Sequence, residues 1–360
     1  MVPTFLSGAA RRSFSRAHHS LKPLAVAVLI MVGGVGCGGA TSSAGSNTPA
    51  VVSVSSVTFK GSAGFFTDDV ANQEGFFKQE GLNVTFLQTS NGAQYLQFMI
   101  SGSVQGGITD LGPALTTIGK GADIKVLGAT VDKNVFELTA AKGQTWANGL
   151  TDWRQIMQAL VGRTVGVSGL GAATDIALRG MLIAAGVQPT QVHILGVGTQ
   201  AAAGTQMKIG NVQAVVEEFS NEPYFAEQGV GQPLLKFADA PVDTVANVSI
   251  GLIFNGKWYA SNKAVANRWL KAEQLAEKWI EDPANTTKAA ALMADWVNVD
   301  QSAGLADLTG IRQLYKATPA DFHVPRQNIT NELQLLNEEG ILPKSQNPSY
   351  DSFVVAPSTK

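Results

Sequence analysis

From Val57 onward the chain alternates short apolar runs with segments of helical period. Val57-Thr58-Phe59 predicts a strand, and Thr67-Asp68-Asp69 the capped, acid-bearing start of a helix closed by Gly81. Leu82, Val84 and Phe86 alternate with polar residues, the period of a half-buried strand. Ser90-Asn91-Gly92 opens a second helix carrying Tyr95, Leu96, Met99 and Ile100, and residues 107–110 form a short strand. Pro113 then stands in the first turn of a third helix, and residues 124–129 form another strand. A β-α-β-α-β-α-β series of this kind predicts a parallel sheet covered by helices.

The pattern then restarts. Residues 136–141 predict a strand, Thr151-Asp152-Trp153 caps a helix, and residues 164–167 form a buried strand running into the turn Ser168-Gly169-Leu170-Gly171. A helix from Thr174 to Ala185 follows, then strands over 192–195 and 212–216 with a helix between them, and a final strand over 248–254. Beyond it, 262–282, 288–297 and 328–339 are helical. Two consecutive α/β units followed by helices predict an α/β protein of two lobes with a ligand cleft between them. The first lobe is discontinuous, 54–132 with 256–360, and the second spans 133–255. Ligands of such sheets bind beyond the carboxyl ends of parallel strands, which here face each other across the cleft.

Charge and the single cysteine set the address. The 360 residues hold 26 basic and 28 acidic side chains, but Arg11, Arg12, Arg16 and Lys22 all precede residue 37, where no acid occurs. The remainder is left with 22 basic and 28 acidic residues, a net charge of -6. The basic segment leads into the apolar run Leu24–Val32, too short to span a bilayer and of the length of an export signal's core. It ends in Gly34-Val35-Gly36-Cys37, which resembles a bacterial lipobox with Gly34 in place of the usual Leu. The expectation is a signal peptide over 1–36, a lipidated Cys37, and a Gly/Ala/Ser/Thr tether over 37–53 before the body. One cysteine excludes an internal disulfide or a cysteine-based zinc site. The acidic balance lacks the basic footprint of a nucleic-acid binder.

Several segments, in order, resemble periplasmic solute-binding proteins of the nitrate/sulfonate/taurine group. They are Gly75-Phe76-Phe77-Lys78-Gln79-Glu80-Gly81-Leu82-Asn83-Val84, then Ser101-Gly102-Ser103-Val104-Gln105-Gly106-Gly107, Gly119-Lys120-Gly121-Ala122-Asp123-Ile124, Leu160-Val161-Gly162-Arg163-Thr164-Val165-Gly166-Val167, and Gly210-Asn211-Val212 with Glu222-Pro223-Tyr224. The resemblance implies a type II periplasmic binding-protein fold, a monomer that captures a small-molecule solute and delivers it to the membrane permease of an ABC importer. It implies no cofactor and no metal. The same fold serves thiamine-pyrimidine binders and fungal pyrimidine-synthesis enzymes, so a related enzyme and a ligand-presenting sensor subunit are the alternatives. The export signal, and only two histidines after it, argue against the enzyme. The chain departs from its sulfonate-binding relatives at Gly169-Leu170-Gly171-Ala172-Ala173-Thr174-Asp175 and at Ser220-Asn221-Glu222, so the solute is left open.

The candidate ligand residues are those that leave strand ends. Ser168, Gly169, Gly171, Ala172 and Thr174 form a glycine-rich turn opening a helix, where backbone N–H groups and the positive helix end suit an anion or a polar oxygen. The turn misses the dinucleotide, phosphate-loop and Gly-x-Ser-x-Gly signatures. In the first lobe the exits are Phe65, Phe66, Thr67 and Asp68; Ser90, Asn91 and Gly92; and Asp110 and Leu111. In the second lobe Glu218 and Phe219 leave the strand that ends at Val216, with Glu217 beside them. Asp175 and Arg179 predict a surface ion pair. No Lys or Arg is expected in these loops, so an acid-lined cleft is expected to prefer a neutral or cationic solute.

Overall fold

The computed structural model describes residues 51–89, 92–248, 250–318 and 321–355; the signal segment, Cys37, Ser90 and Asn91 lie outside them. Ten strands follow in order: β1 (Val52–Thr58), β2 (Leu82–Gln88), β3 (Gly106–Asp110), β4 (Ile124–Val131), β5 (Phe136–Ala141), β6 (Thr164–Val167), β7 (His193–Gly196), β8 (Ala214–Glu218), β9 (Gly231–Lys236) and β10 (Ile250–Asn255). β1 and β2 pair in parallel, with Val52 opposite Leu82 and Thr58 opposite Gln88. β1 therefore begins inside the segment expected to be tether, because Val52 and Val54 alternate with serines at strand period.

The two remaining sheets divide the molecule. The first has the order β3-β10-β4, and the second β7-β6-β8-β5-β9. β10 runs antiparallel between β3 and β4. The sequence pattern places this strand at the end of the second lobe, whereas its pairing puts it in the centre of the first. Its run Ile250-Gly251-Leu252-Ile253-Phe254 is buried, as befits a central strand. In the second sheet β6 runs parallel to β7 and β8, whereas β5 is antiparallel to β8 and β9. The all-parallel sheets expected from the element order are thus mixed ones.

The chain crosses between the sheets at 132–135 and again after β9, over 237–248. Asn134 ties the crossings together: its N–H donates to Ala246 O at 3.0 Å and its side-chain amide to Val245 O at 2.9 Å. Its side-chain oxygen accepts from the Phe136 N–H at 2.7 Å, which fixes the start of β5.

The helix Gly256–Glu281 is capped by Asn255, whose side chain accepts from the Trp258 N–H, and bends at Asn262. It packs Trp269, fully buried, edge-on against Phe77 and Phe254 at 5.6 and 5.7 Å. The helices Thr286–Val297 and Gln301–Ala317 pair tightly beside it, the second being one that hydrophobic periodicity does not announce. β3 approaches β1 closely at Gly107, whose φ of 144° suits glycine and where a Cβ would lie 1.9 Å from Ser56 Oγ. Among the described residues no helix is long and apolar enough to cross a membrane.

Candidate functional site

The strand ends of both sheets meet around one cleft of about 640 Å3, its open mouth included. The turn after β1 contributes Phe59, Lys60, Gly61, Ser62 and Phe65, β2 ends at Thr89, and β3 at Asp110. The opposite wall holds Phe136 at the start of β5, Ser168 and Ala172 to Thr174 after β6, Gly198 to Gln200 after β7, Glu217 and Glu218 at the end of β8, and Asn221 beyond it.

Of the residues singled out from the sequence, Phe65, Asp110, Ser168, Ala172, Thr174 and Glu218 come together here. Phe66, Thr67 and Leu111, each in the first turn of its helix, are fully buried in the core instead. Asp68 is also buried, beside a separate polar recess shared with Lys60, Asp69 and Trp296. Gly92 starts its helix, and Gly169, Gly171 and Phe219 flank the cleft without lining it. Phe219 packs against Gly310 and under Lys236.

A basic residue does reach the cleft. Lys60 sits at its rim, half-exposed, with Nζ 3.4 Å from Asp295 Oδ2. The sequence reading takes the exit from Phe65 onward and so starts it too late; the strand ends at Thr58 and the loop takes in Phe59 to Ser62. Phe136 is missed for another reason. β5 is antiparallel, so its first residue, paired with Glu218, lies at the cleft where the parallel strands end.

The walls are joined through Glu218. Its Oε1 accepts from Ser62 Oγ and its Oε2 from the Gly64 N–H at 3.2 Å, while the Ala63 N–H donates to Ser220 Oγ at 3.3 Å. Gly64 is packed against β10: a Cβ there would stand 2.5 Å from Ile250 Cδ1, while Glu218 Oε1 would lie at an ordinary 3.6 Å. Ser62 is held in turn by Trp296, whose indole N–H donates to the Ser62 carbonyl at 2.6 Å. Further contacts between the walls run from Gln200 to Val297 O at 3.3 Å and from the Asp300 N–H to Glu227 Oε1 at 3.0 Å.

The glycine-rich turn after β6 closes on itself. The Ser168 N–H donates to Thr174 Oγ1 at 3.0 Å, and the Gly171 N–H to Asp175 Oδ2 at 2.8 Å. Asp175 is buried and also accepts from Arg179 Nε at 2.7 Å, so the pair expected on the surface is a structural brace for the turn. The carboxylate was drawn inward by the backbone donors at the helix start.

Three carboxyl groups share this space. Burial pushes Glu217 up to about 8, with the nearby Glu218 charge adding to it. Burial likewise raises Asp110 to about 7, again helped by Glu218. Glu218 itself rises to about 7 through burial, held back by its bonds to Ser62, Gly64 and Ala63. Glu217 Oε1 is a buried acceptor with no hydrogen-bond partner among the described residues, while its Oε2 accepts from Asn221 at 3.4 Å. The cleft therefore offers acceptor oxygens and the aromatic side chains of Phe59, Phe65 and Phe136. His193 and His323 lie elsewhere, the latter 2.7 Å from Asp321 on the surface. Among the described residues no cluster of three metal-ligating side chains occurs.

Residues 63–286 match the family model described as NMT1/THI5 like. No curated protein sequence matches the chain. Solved structures do. The alkanesulfonate-binding protein SsuA from Xanthomonas axonopodis pv. citri, bound to MOPS, is 14% identical with a TM-score of 0.69, over 86% of this chain and 99% of that one. The ligand-binding component of an ABC-type import system from Staphylococcus aureus gives 13% identity and a TM-score of 0.66, over 87% of this chain and all of the other. The periplasmic nitrate-binding protein NrtA from Synechocystis PCC 6803 gives 16% and 0.65, over 86% and 87%. The chain thus has the two-lobed α/β fold of periplasmic binding proteins.

Proposed function

The chain belongs to the NMT1/THI5-like family, and from that premise we propose that it is the solute-binding component of an ABC importer, capturing a small organic solute between its two walls and presenting it to a membrane permease. The observation that carries the reading is the cleft itself. Residues from the ends of seven strands converge on one space, and its walls are joined by direct bonds such as that of Glu218 to Ser62. A site of this form suits reversible enclosure of a ligand.

The solute is neutral or cationic, an aminated heterocycle being the natural case. Asp110, Glu217 and Glu218 crowd acceptor oxygens into the space, Phe59 and Phe136 supply flat apolar faces, and the lone lysine stands at the rim near Asp295. A panel of amines, aminated heterocycles and alkanesulfonates, followed by thermal shift and calorimetry, tests this. A true ligand at 100 times its dissociation constant stabilises by about 2.7 kcal/mol. Tighter binding of an alkanesulfonate than of every amine would overturn the assignment of solute class.

Anchoring through a lipid on Cys37 completes the reading and rests on the lipobox-like segment alone. Cys37→Ala is expected to move the protein from the membrane fraction to the soluble one. Equal membrane retention of parent and variant would remove the anchor.

A further inference from the structure

Hydrogen-bond donors that would hold an anionic solute exist on both sides of this cleft. On the first-lobe side Ser62, at the start of the turn Ala63–Phe65, and Gly64, within it, bring a hydroxyl and a backbone N–H to one carboxylate, just ahead of the helix Phe66–Gln73. A helix start of this kind carries positive potential and favours a carboxylate, sulfonate or phosphate oxygen. The point is not free. Glu218, from the far wall, places one carboxylate oxygen on each donor. On the second-lobe side the turn after β6 repeats the arrangement, its Gly171 N–H taken by Asp175 and its Ser168 N–H by Thr174.

We infer that Glu218 is a tethered anion, occupying the Ser62–Gly64 seat in place of a solute's acidic group and so acting as the residue that turns the cleft away from anions. The inference rests on the reading of this cleft as the solute site, and it names the residue that sets its selectivity. Two features make Glu218 the determinant. It bridges the walls, so its charge is delivered at the moment they meet. Its neighbours Asp110 and Glu217 line the same space: Glu217 Oε1 is left without a partner for an N–H-bearing group, and above their raised pKa values both carboxylates repel any second anion.

The test removes the tether and supplies the anion separately. Thermal melts of the full-length parent, Glu218→Ala and Glu218→Ala/Ser62→Ala are recorded against sodium acetate, with sodium chloride at the same ionic strength as reference. Glu218→Ala is expected to gain a saturable rise in melting temperature of a few degrees in acetate and in methanesulfonate. The parent should gain none, and the double variant much less. A Glu218→Ala response no larger than the parent's would overturn the proposal, as would an undiminished response in the double variant. If Glu218→Ala is unfolded in chloride, recovery of a cooperative melt on adding acetate supports the seat, and no recovery overturns it. The solute reading is judged separately, on the parent with the amine panel. Acetate rescue without amine binding would leave the seat assignment standing and remove the cationic solute; amine binding without rescue would do the reverse.

Discussion

The melting temperature of this protein is expected to be highest in mildly acidic buffer and to fall by on the order of 10 °C between about pH 5 and about pH 9. The cause is a set of buried carboxyl groups whose desolvation outweighs the nearby cations, Lys236 beside Glu137 and Asp307 and Arg179 beside Glu339. Burial raises Glu137, Glu217 and Asp307 to about 8, and Glu277 and Glu339 to about 9. Asp110 and Glu218 stand at about 7. Asp68 and Glu273, buried side by side, are both raised by burial, Asp68 further by the Glu273 charge. In the unfolded chain each of these acids returns to its ordinary value near 4. The folded state therefore holds more protons than the unfolded one between about pH 4 and about pH 9, and stability falls as pH rises through that window. The contribution is complete below the unfolded value and is lost as each folded value is passed. Scanning calorimetry at constant ionic strength checks this, and a flat or rising melting temperature over the window would exclude it. Glu277→Gln should flatten the high end of the profile, since Glu277 is raised by burial and then by Glu281 and Glu273.

The second large effect belongs to Trp269→Ala, for which a loss of about 4 kcal/mol is expected. The ring is fully buried and meets Phe77 and Phe254 edge-on, so truncation leaves a cavity lined by two aromatics. The indole N–H also donates to Glu273 Oε1 at 3.0 Å, and its removal leaves that buried acid without its donor. Trp269→Phe keeps most of the volume and loses only the donor, so it should fall between parent and alanine variant. Urea titrations of the three proteins give the order directly. A loss below about 1 kcal/mol for the alanine variant would contradict the packing argument.

Local patterns in this chain announce local structure and stop there. Leu82, Val84 and Phe86 mark β2, and Asp152 caps its helix by accepting from the Gln155 N–H as its position suggests. β9 escapes notice because Pro233 and two exposed residues break its apolar run. The helix Gln301–Ala317 escapes because Gly304 and Gly310 sit on faces pressed against neighbours, where a larger residue would collide with Ala294 or Phe219. The position of β10 is a matter of long-range pairing, with 120 residues between its start and β4's Thr130, and nothing near residue 250 encodes which sheet it joins.

The site follows the same division. Strand-exit residues such as Ser168, Thr174 and Glu218 were legible because the carboxyl end of a strand is a local feature. Lys60 and Ser62 are missed because the exit is read from Phe65 onward, beyond the residues that directly follow the strand, and Phe136 because of the direction of β5. The filling of donors by Glu218 and Asp175 could not be read at all. It depends on distances between segments 154 residues apart in one case and on burial of an apparently exposed ion pair in the other.

The bonds between the walls divide into two kinds. Glu218 and Ser62 line the space where a solute would sit, whereas the contacts of Ala63 with Ser220 and of Asp300 with Glu227 are made without lining it. Bonds of the second kind favour no solute over another. They lower the rate at which the walls part, and so lengthen the residence time of every bound molecule by the same factor. On the proposed reading selection is thereby separated from retention: the cleft's oxygens would decide which molecule is held, and a few hydrogen bonds outside it how long that molecule stays.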